Sequence, residues 1–242
     1  MHRNSPIRPW ILLVLLGLWS VAGHAQSPAA PAPLQIRVLW HDPVHPAPEL
    51  FVADAAGARV RLRFLAGGLS EAQVTQPVNG LLVLYPTAAP APGKSEGKLL
   101  ATVKVPAGTQ RAMVIVLPGA PDAQPAYRMV LINDSAEAFP KGESRVLSLV
   151  GVATAIEAGE HKFAIKPGTV VRVPAVHKVN EFNLAQTNFY YWENAAWVAF
   201  TERQVQYLEA FRRVFIIHTT PGATEPSVTT VVDTAPATLP RP

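Results

Sequence analysis

The sequence predicts an all-β protein: an antiparallel β-sandwich built as two immunoglobulin-like units in tandem, with little helix. Three observations carry that expectation. Short apolar or alternating runs recur between clusters of Pro, Gly, Asn and Asp, the pattern of strands and turns. No long stretch repeats apolar residues convincingly at helical spacing. The 242 residues include 24 prolines and no cysteine, so the fold must rest on a packed core and not on disulfide staples.

The N-terminus comes first. Arg3 and Arg8 precede the apolar run WILLVLLGLWSVA (10–22), and small residues follow in GHA. A charged start, a short apolar stretch and small residues before a cut describe a secretory signal peptide, with cleavage expected after Ala25. The run falls short of the roughly 20 residues that a membrane-spanning helix needs. The expected division is therefore a signal peptide over 1–25 and a disordered Pro/Ala-rich segment over 26–33. A first β-sandwich unit follows over 34–125, a second over 126–233, and a disordered tail over 234–242. PGAPDAQP (118–125) breaks any element and marks the join. PTAAPAPGKSEG (86–97) reads as a long hairpin loop. The mature chain is expected in the periplasm or secreted, without a membrane-integral segment.

Within the first unit the expected strands are LQIRVLW (34–40), ELFVAD (49–54), ARVRLRF (58–64), GLLVLYP (80–86), KLLATVKVP (98–106) and QRAMVIVLP (110–118). In ARVRLRF, Val60, Leu62 and Phe64 alternate with Arg59, Arg61 and Arg63, the half-buried strand pattern. The second unit offers AYRMVLIND (126–134), SRVLSLVG (144–151), HKFAIKPG (161–168), TVVRVPA (169–175), NFYYW (188–192), WVAFT (197–201), FRRVFIIH (211–218) and SVTTVVD (227–233). Between the last pairs, ERQVQYLEAFRRVF reads as a turn or short helix leading into the strand at 211–218. No internal repeat is evident.

Composition narrows function. The full chain carries 21 basic and 17 acidic residues, without a run of four basic residues, so no electrostatic footprint for nucleic acid is expected. No G-x-S-x-G, S-x-x-K, H-E-x-x-H or Gly-rich phosphate loop occurs. No catalytic residue or cofactor is therefore assigned. Asp134, Glu137, Glu143, Glu157 and Glu160 read as scattered turn residues. His41, Asp42 and His45 in WHDPVHP are a weak metal candidate, since imidazoles and a carboxylate suit zinc or copper. A third imidazole would have to come from His161, His177 or His218. The plainer reading is an Asx turn with solvated histidines.

NFYYWENAAWVAF (188–200) concentrates Phe189, Tyr190, Tyr191, Trp192, Trp197 and Phe200. With a turn at Glu193–Ala195, the flanking strands form a hairpin with aromatics on both faces. Phe189 and Tyr191 point one way, Tyr190 and Trp192 the other. The outward aromatics are expected to lie under a loop or against the other unit, with 202–210 available as cover, and Trp197 is expected to be buried more deeply than Trp192. The alternative is a platform of Tyr190, Tyr191, Trp192 and Trp197 for a sugar ring or peptide. The expected function is that of an exported, non-catalytic binding protein with a protein or glycan partner. Two alternatives stand beside it. One is a chaperone-like assembly factor adding a strand at an exposed edge, with QRAMVIVLP as the candidate. The other is a metal-dependent enzyme using His41 and His45.

Overall fold

The computed structural model describes residues 33–89, 99–120 and 122–235. The expected signal peptide, nearly all of the 26–33 segment, most of the 234–242 tail and residues 90–98 of the proline-rich loop lie outside the described residues. Within them the chain is all β, and no helix occurs. The first eight strands are β1 (Leu34–Trp40), β2 (Phe51–Ala53), β3 (Arg59–Arg61), β4 (Gln73–Thr75), β5 (Leu81–Leu84), β6 (Ala101–Lys104), β7 (Arg111–Pro118) and β8 (Tyr127–Asn133). The next eight are β9 (Ser144–Ser148), β10 (Thr154–Ala158), β11 (His161–Ile165), β12 (Val170–Val173), β13 (Leu184–Glu193), β14 (Ala196–Gln206), β15 (Arg212–His218) and β16 (Ser227–Asp233).

Two of these strands have no counterpart among the runs read from the sequence. β4 is only three residues long. β10, Thr-Ala-Ile-Glu-Ala, contains the Ala and Glu that strands disfavour. It forms because it is paired on both sides, by β11 and β13. The helix considered at 202–210 does not form: β14 continues to Gln206 opposite Leu184 of β13.

The strand plan occurs twice. One sheet orders β4-β1-β7-β8 and another β12-β9-β15-β16, and each has its hairpins at matching points. β2–β3 and β5–β6 in the first half correspond to β10–β11 and β13–β14 in the second. A bridge between Phe51 and Tyr85 joins the first two hairpins, just as β10 joins β13. The pairing also aligns residues. Ala112 sits opposite Ile36 and Asn133, and Arg213 sits opposite Ser144 and Val232. Arg37-Val38-Leu39 thus matches Arg145-Val146-Leu147, and Asp134 matches Asp233. The absence of a repeat in the sequence gives way to a repeat in the topology. Pairing is also not purely antiparallel, as expected, because β1–β7 and β9–β15 run parallel.

PGAPDAQP, expected to separate two units, is the connection between β7 and β8. Seven residue pairs of the β7–β8 ladder carry the first sheet across it to Asn133. Strand pairing passes to the second set only between Asp134 and Glu143.

Side-chain parity shows why the two central sheets read as continuous apolar runs. In β7, Ala112, Val114 and Val116 enter a core with Ile36, Val38, Leu50 and Leu84. The alternate residues Met113, Ile115 and Leu117 enter a different core, with Leu147, Val214 and Ile216 of the second half. β15 mirrors this: Phe215 and Ile217 join Phe189 and Ile156. A strand buried on both faces loses the period-2 alternation of a half-exposed one. The two halves therefore share a central apolar layer between the β1 and β9 sheets.

Candidate functional site

The aromatic hairpin supplies the most distinctive surface. Asn194 and Ala195 both have positive φ, 48° and 60°, the two-residue turn geometry that suits the twist of a hairpin. Alanine is strained in that conformation where glycine would not be. Ala195→Gly is expected to stabilise the protein by about 0.5 kcal/mol, read as a shift in the urea midpoint.

Alternation then divides the aromatics. Phe189 is fully buried, 5.3 Å from Phe215 and 6.3 Å from Phe200, and Tyr191 stands 5.9 Å from Phe200. Trp192 and Trp197 point outward, opposite each other in the ladder. They are 43% and 44% exposed, with rings edge to face at 5.2 Å. The expectation that they lie under cover, with Trp197 the deeper, is corrected. The stretch 202–206, expected to cover them, is part of β14. The β10–β13 ladder ends at Tyr191, with one further bond from the Trp192 N–H to the Ala153 carbonyl at 2.9 Å, so the turn of the hairpin extends past its neighbour.

A polar row continues from the indoles along the same face. Asn188 donates to the Tyr190 hydroxyl at 3.3 Å, Gln186 to Asn188 at 2.6 Å, and Gln204 of β14 to Gln186 at 3.1 Å. The Tyr190 hydroxyl donates to Glu157 at 2.5 Å, and Lys162 pairs with the same carboxylate. Hydrogen bonds from Lys162 and then Tyr190 hold Glu157 below the usual carboxylate range, and the Glu157 bond raises Tyr190 in turn. Two exposed indoles thus lead into a line of amide, phenol and carboxylate groups that already orient one another.

The histidine candidates separate. Asp42 accepts from the backbone N–H of Val44 at 2.8 Å and of His45 at 3.2 Å, the expected Asx turn, and its other oxygen meets His45 Nδ1 at 2.9 Å. Burial opposes the Asp42 charge, but these bonds outweigh it and hold the carboxyl below its ordinary value. His45 is solvated. His41 is not: it turns into the layer between the halves, 8% exposed, with its ring 4.7 Å from that of His218. His161 instead meets the Ala175 carbonyl at 3.0 Å, and His177 is exposed. Among the described residues, no group of three or more His, Cys, Asp and Glu side chains could hold a metal ion. A cavity of about 440 Å³ beside Trp40, His41, Phe64 and Thr229 opens at this point.

Burial and then the neighbouring His218 push His41 down to about 4 from 6.5. A lowered imidazole favours the folded state above the unfolded value and loses that advantage as pH falls. The protein is expected to lose about 3 kcal/mol between pH 6.5 and 4 from this group. Urea denaturation at pH 7.5 and 4.5 checks it: His41→Gln should show a shallower dependence than the wild type.

Sequence reasoning missed the most buried charges altogether. Arg37, Arg212, Asp134 and Asp233 meet between the halves, and Asp134 and Glu143 are buried and not turn residues open to solvent. QRAMVIVLP is corrected too: β7 lies between β1 and β8 and is no edge. β14, eleven residues long, is the long edge strand of its sheet. No family model matches this chain, and no curated protein matches it significantly.

Proposed function

We propose that this is an exported, non-catalytic binding protein of two immunoglobulin-like β-sandwich units, and that the outer face of β13 and β14 binds a glycan. The observation that carries the reading is the exposed Trp192–Trp197 pair continuing into the Tyr190, Asn188, Gln186 and Gln204 row. Large exposed aromatics are costly to leave against water and mark interaction surfaces. Sugar rings combine an apolar C–H face with hydroxyls, so they match indoles set beside amide and phenol groups. Opposite charges at Glu157 and Lys162 neutralise each other, which favours an uncharged ligand over an acidic one. The repeated strand plan supports the two-unit description, and the signal-peptide pattern of residues 1–25 supports export.

A panel of polysaccharides immobilised on an array tests the ligand class. The wild type is expected to be retained on neutral glycans, and Asn188→Ala with Gln186→Ala to weaken retention by about tenfold, the scale of one or two lost hydrogen bonds. Retention on none of the glycans, with capture of an envelope protein instead, would replace the glycan by a protein partner. The strand-adding alternative places its partner along the β14 edge, and proline at Glu202, an exposed residue whose N–H faces away from β13, would abolish it without touching the indoles.

A further inference from the structure

We propose that His41 and His218 form a binding site for a late first-row transition-metal ion, copper(II) above all, at the junction of the two halves. The two imidazoles arrive from strands remote in sequence: His41 directly follows β1, and His218 ends β15. Both residues are more than nine-tenths buried. His41 Nε2 and His218 Nδ1 are buried and neither has a hydrogen-bond partner. A bond from one ring to the other would satisfy both atoms, and the rings do not make one. Buried polar groups are normally paired, and one left unpaired costs on the order of 1–3 kcal/mol. Two such atoms on neighbouring rings need a reason.

A metal ion supplies one. Imidazole nitrogens bind these ions at about 2.0–2.1 Å. The centre of each ring then lies roughly 3.2 Å from the metal, so an angle of about 90–110° between the two bonds at the ion sets the ring centres about 4.5–5.2 Å apart. The observed separation of the ring centres, 4.7 Å, falls in that range. His218 Nε2 lies 2.9 Å from the Thr229 hydroxyl, an outer contact that fixes the ring and leaves Nδ1 as the ligand atom. The remaining coordination positions fall to water or a small ligand from the adjoining cavity, which Thr229 also lines. Among divalent ions, an imidazole site favours copper by affinity. Asp42 and His45 are occupied with each other and the Val44 N–H, and are not part of the site.

The test uses the mature chain without a polyhistidine tag. Titration calorimetry with copper(II) is expected to show one equivalent bound, weakened at least tenfold by His41→Gln and by His218→Gln. His45→Gln and His177→Gln should leave it unchanged. Electron paramagnetic resonance of the wild-type copper complex, which needs no variant to fold, should show two coupled imidazole nitrogens. No binding at micromolar copper, or one equivalent that survives both substitutions, or a spectrum with fewer than two nitrogens, would overturn the site and leave the pair as edge-to-face ring packing.

Discussion

Arg212→Ala is expected to destabilise the protein by about 3–5 kcal/mol, the cost of breaking a buried ion pair from one side. The side chain is fully buried. Its guanidinium donates to Asp233 at 2.6 and 2.9 Å, to Asp134 at 2.5 Å and to the Phe139 carbonyl at 2.7 Å. Arg37 binds the same two carboxylates, at 2.7–2.8 Å from Asp233 and 2.8–2.9 Å from Asp134. The four charges balance. Without Arg212, two buried carboxylates share one guanidinium, and the remaining charge has no route to water. Burial opposes the charges of Arg37 and Asp233, yet their mutual bonds outweigh it, raising Arg37 and lowering Asp233. Arg212→Lys should recover only part of the loss, because an ammonium cannot reproduce the planar fork. Arg111, which occupies the matching place in β7, donates to the neutral amide of Gln35, at 2.9 Å. Arg111→Ala should therefore cost less than about 1 kcal/mol. Urea denaturation of the three variants checks the series.

The second large effect belongs to Phe189. Its side chain is wholly buried beside Phe200 and Phe215, and Phe189→Ala is expected to cost about 3–5 kcal/mol through lost burial and the cavity left behind. The same cost, read from sequence, falls on the two tryptophans of the hairpin, and the structure moves it. Trp192→Ala and Trp197→Ala should each cost less than about 1 kcal/mol, since each ring is more than two-fifths exposed and packs edge to face on the other. A denaturation series in which the tryptophan variants match Phe189→Ala would place them in the core after all.

The strands were legible wherever local pattern sufficed. β7 and β15 stand out as apolar runs, and the alternation of Phe189 and Tyr191 against Tyr190 and Trp192 foretells their opposite fates. Non-local pairing was not legible. Nothing in Leu34–Trp40 or Arg111–Pro118 announces that they run parallel, with Gln35 opposite Arg111. The repeat escapes for a related reason: strand order is kept, while the matching segment Arg-Val-Leu is too short to signal it. Arg37, Arg212, Asp134 and Asp233 look like ordinary surface charges, because their burial depends on a layer that only the two halves together create. His218 could be proposed as a partner for His41 but not placed. The outward face of the hairpin was visible, but that none of the described residues covers its two tryptophans was not, because that depended on β14 continuing through Gln206.

The most direct measurement is the paired stability and binding of Trp192→Ala/Trp197→Ala on the neutral glycan that the wild type retains best. The expected result is a urea midpoint close to wild type with affinity reduced by about a hundredfold, since stacking of each ring on a sugar contributes on the order of 1–2 kcal/mol. A double variant that binds as tightly as the wild type, whatever its stability, would contradict the assignment of this face as the binding surface.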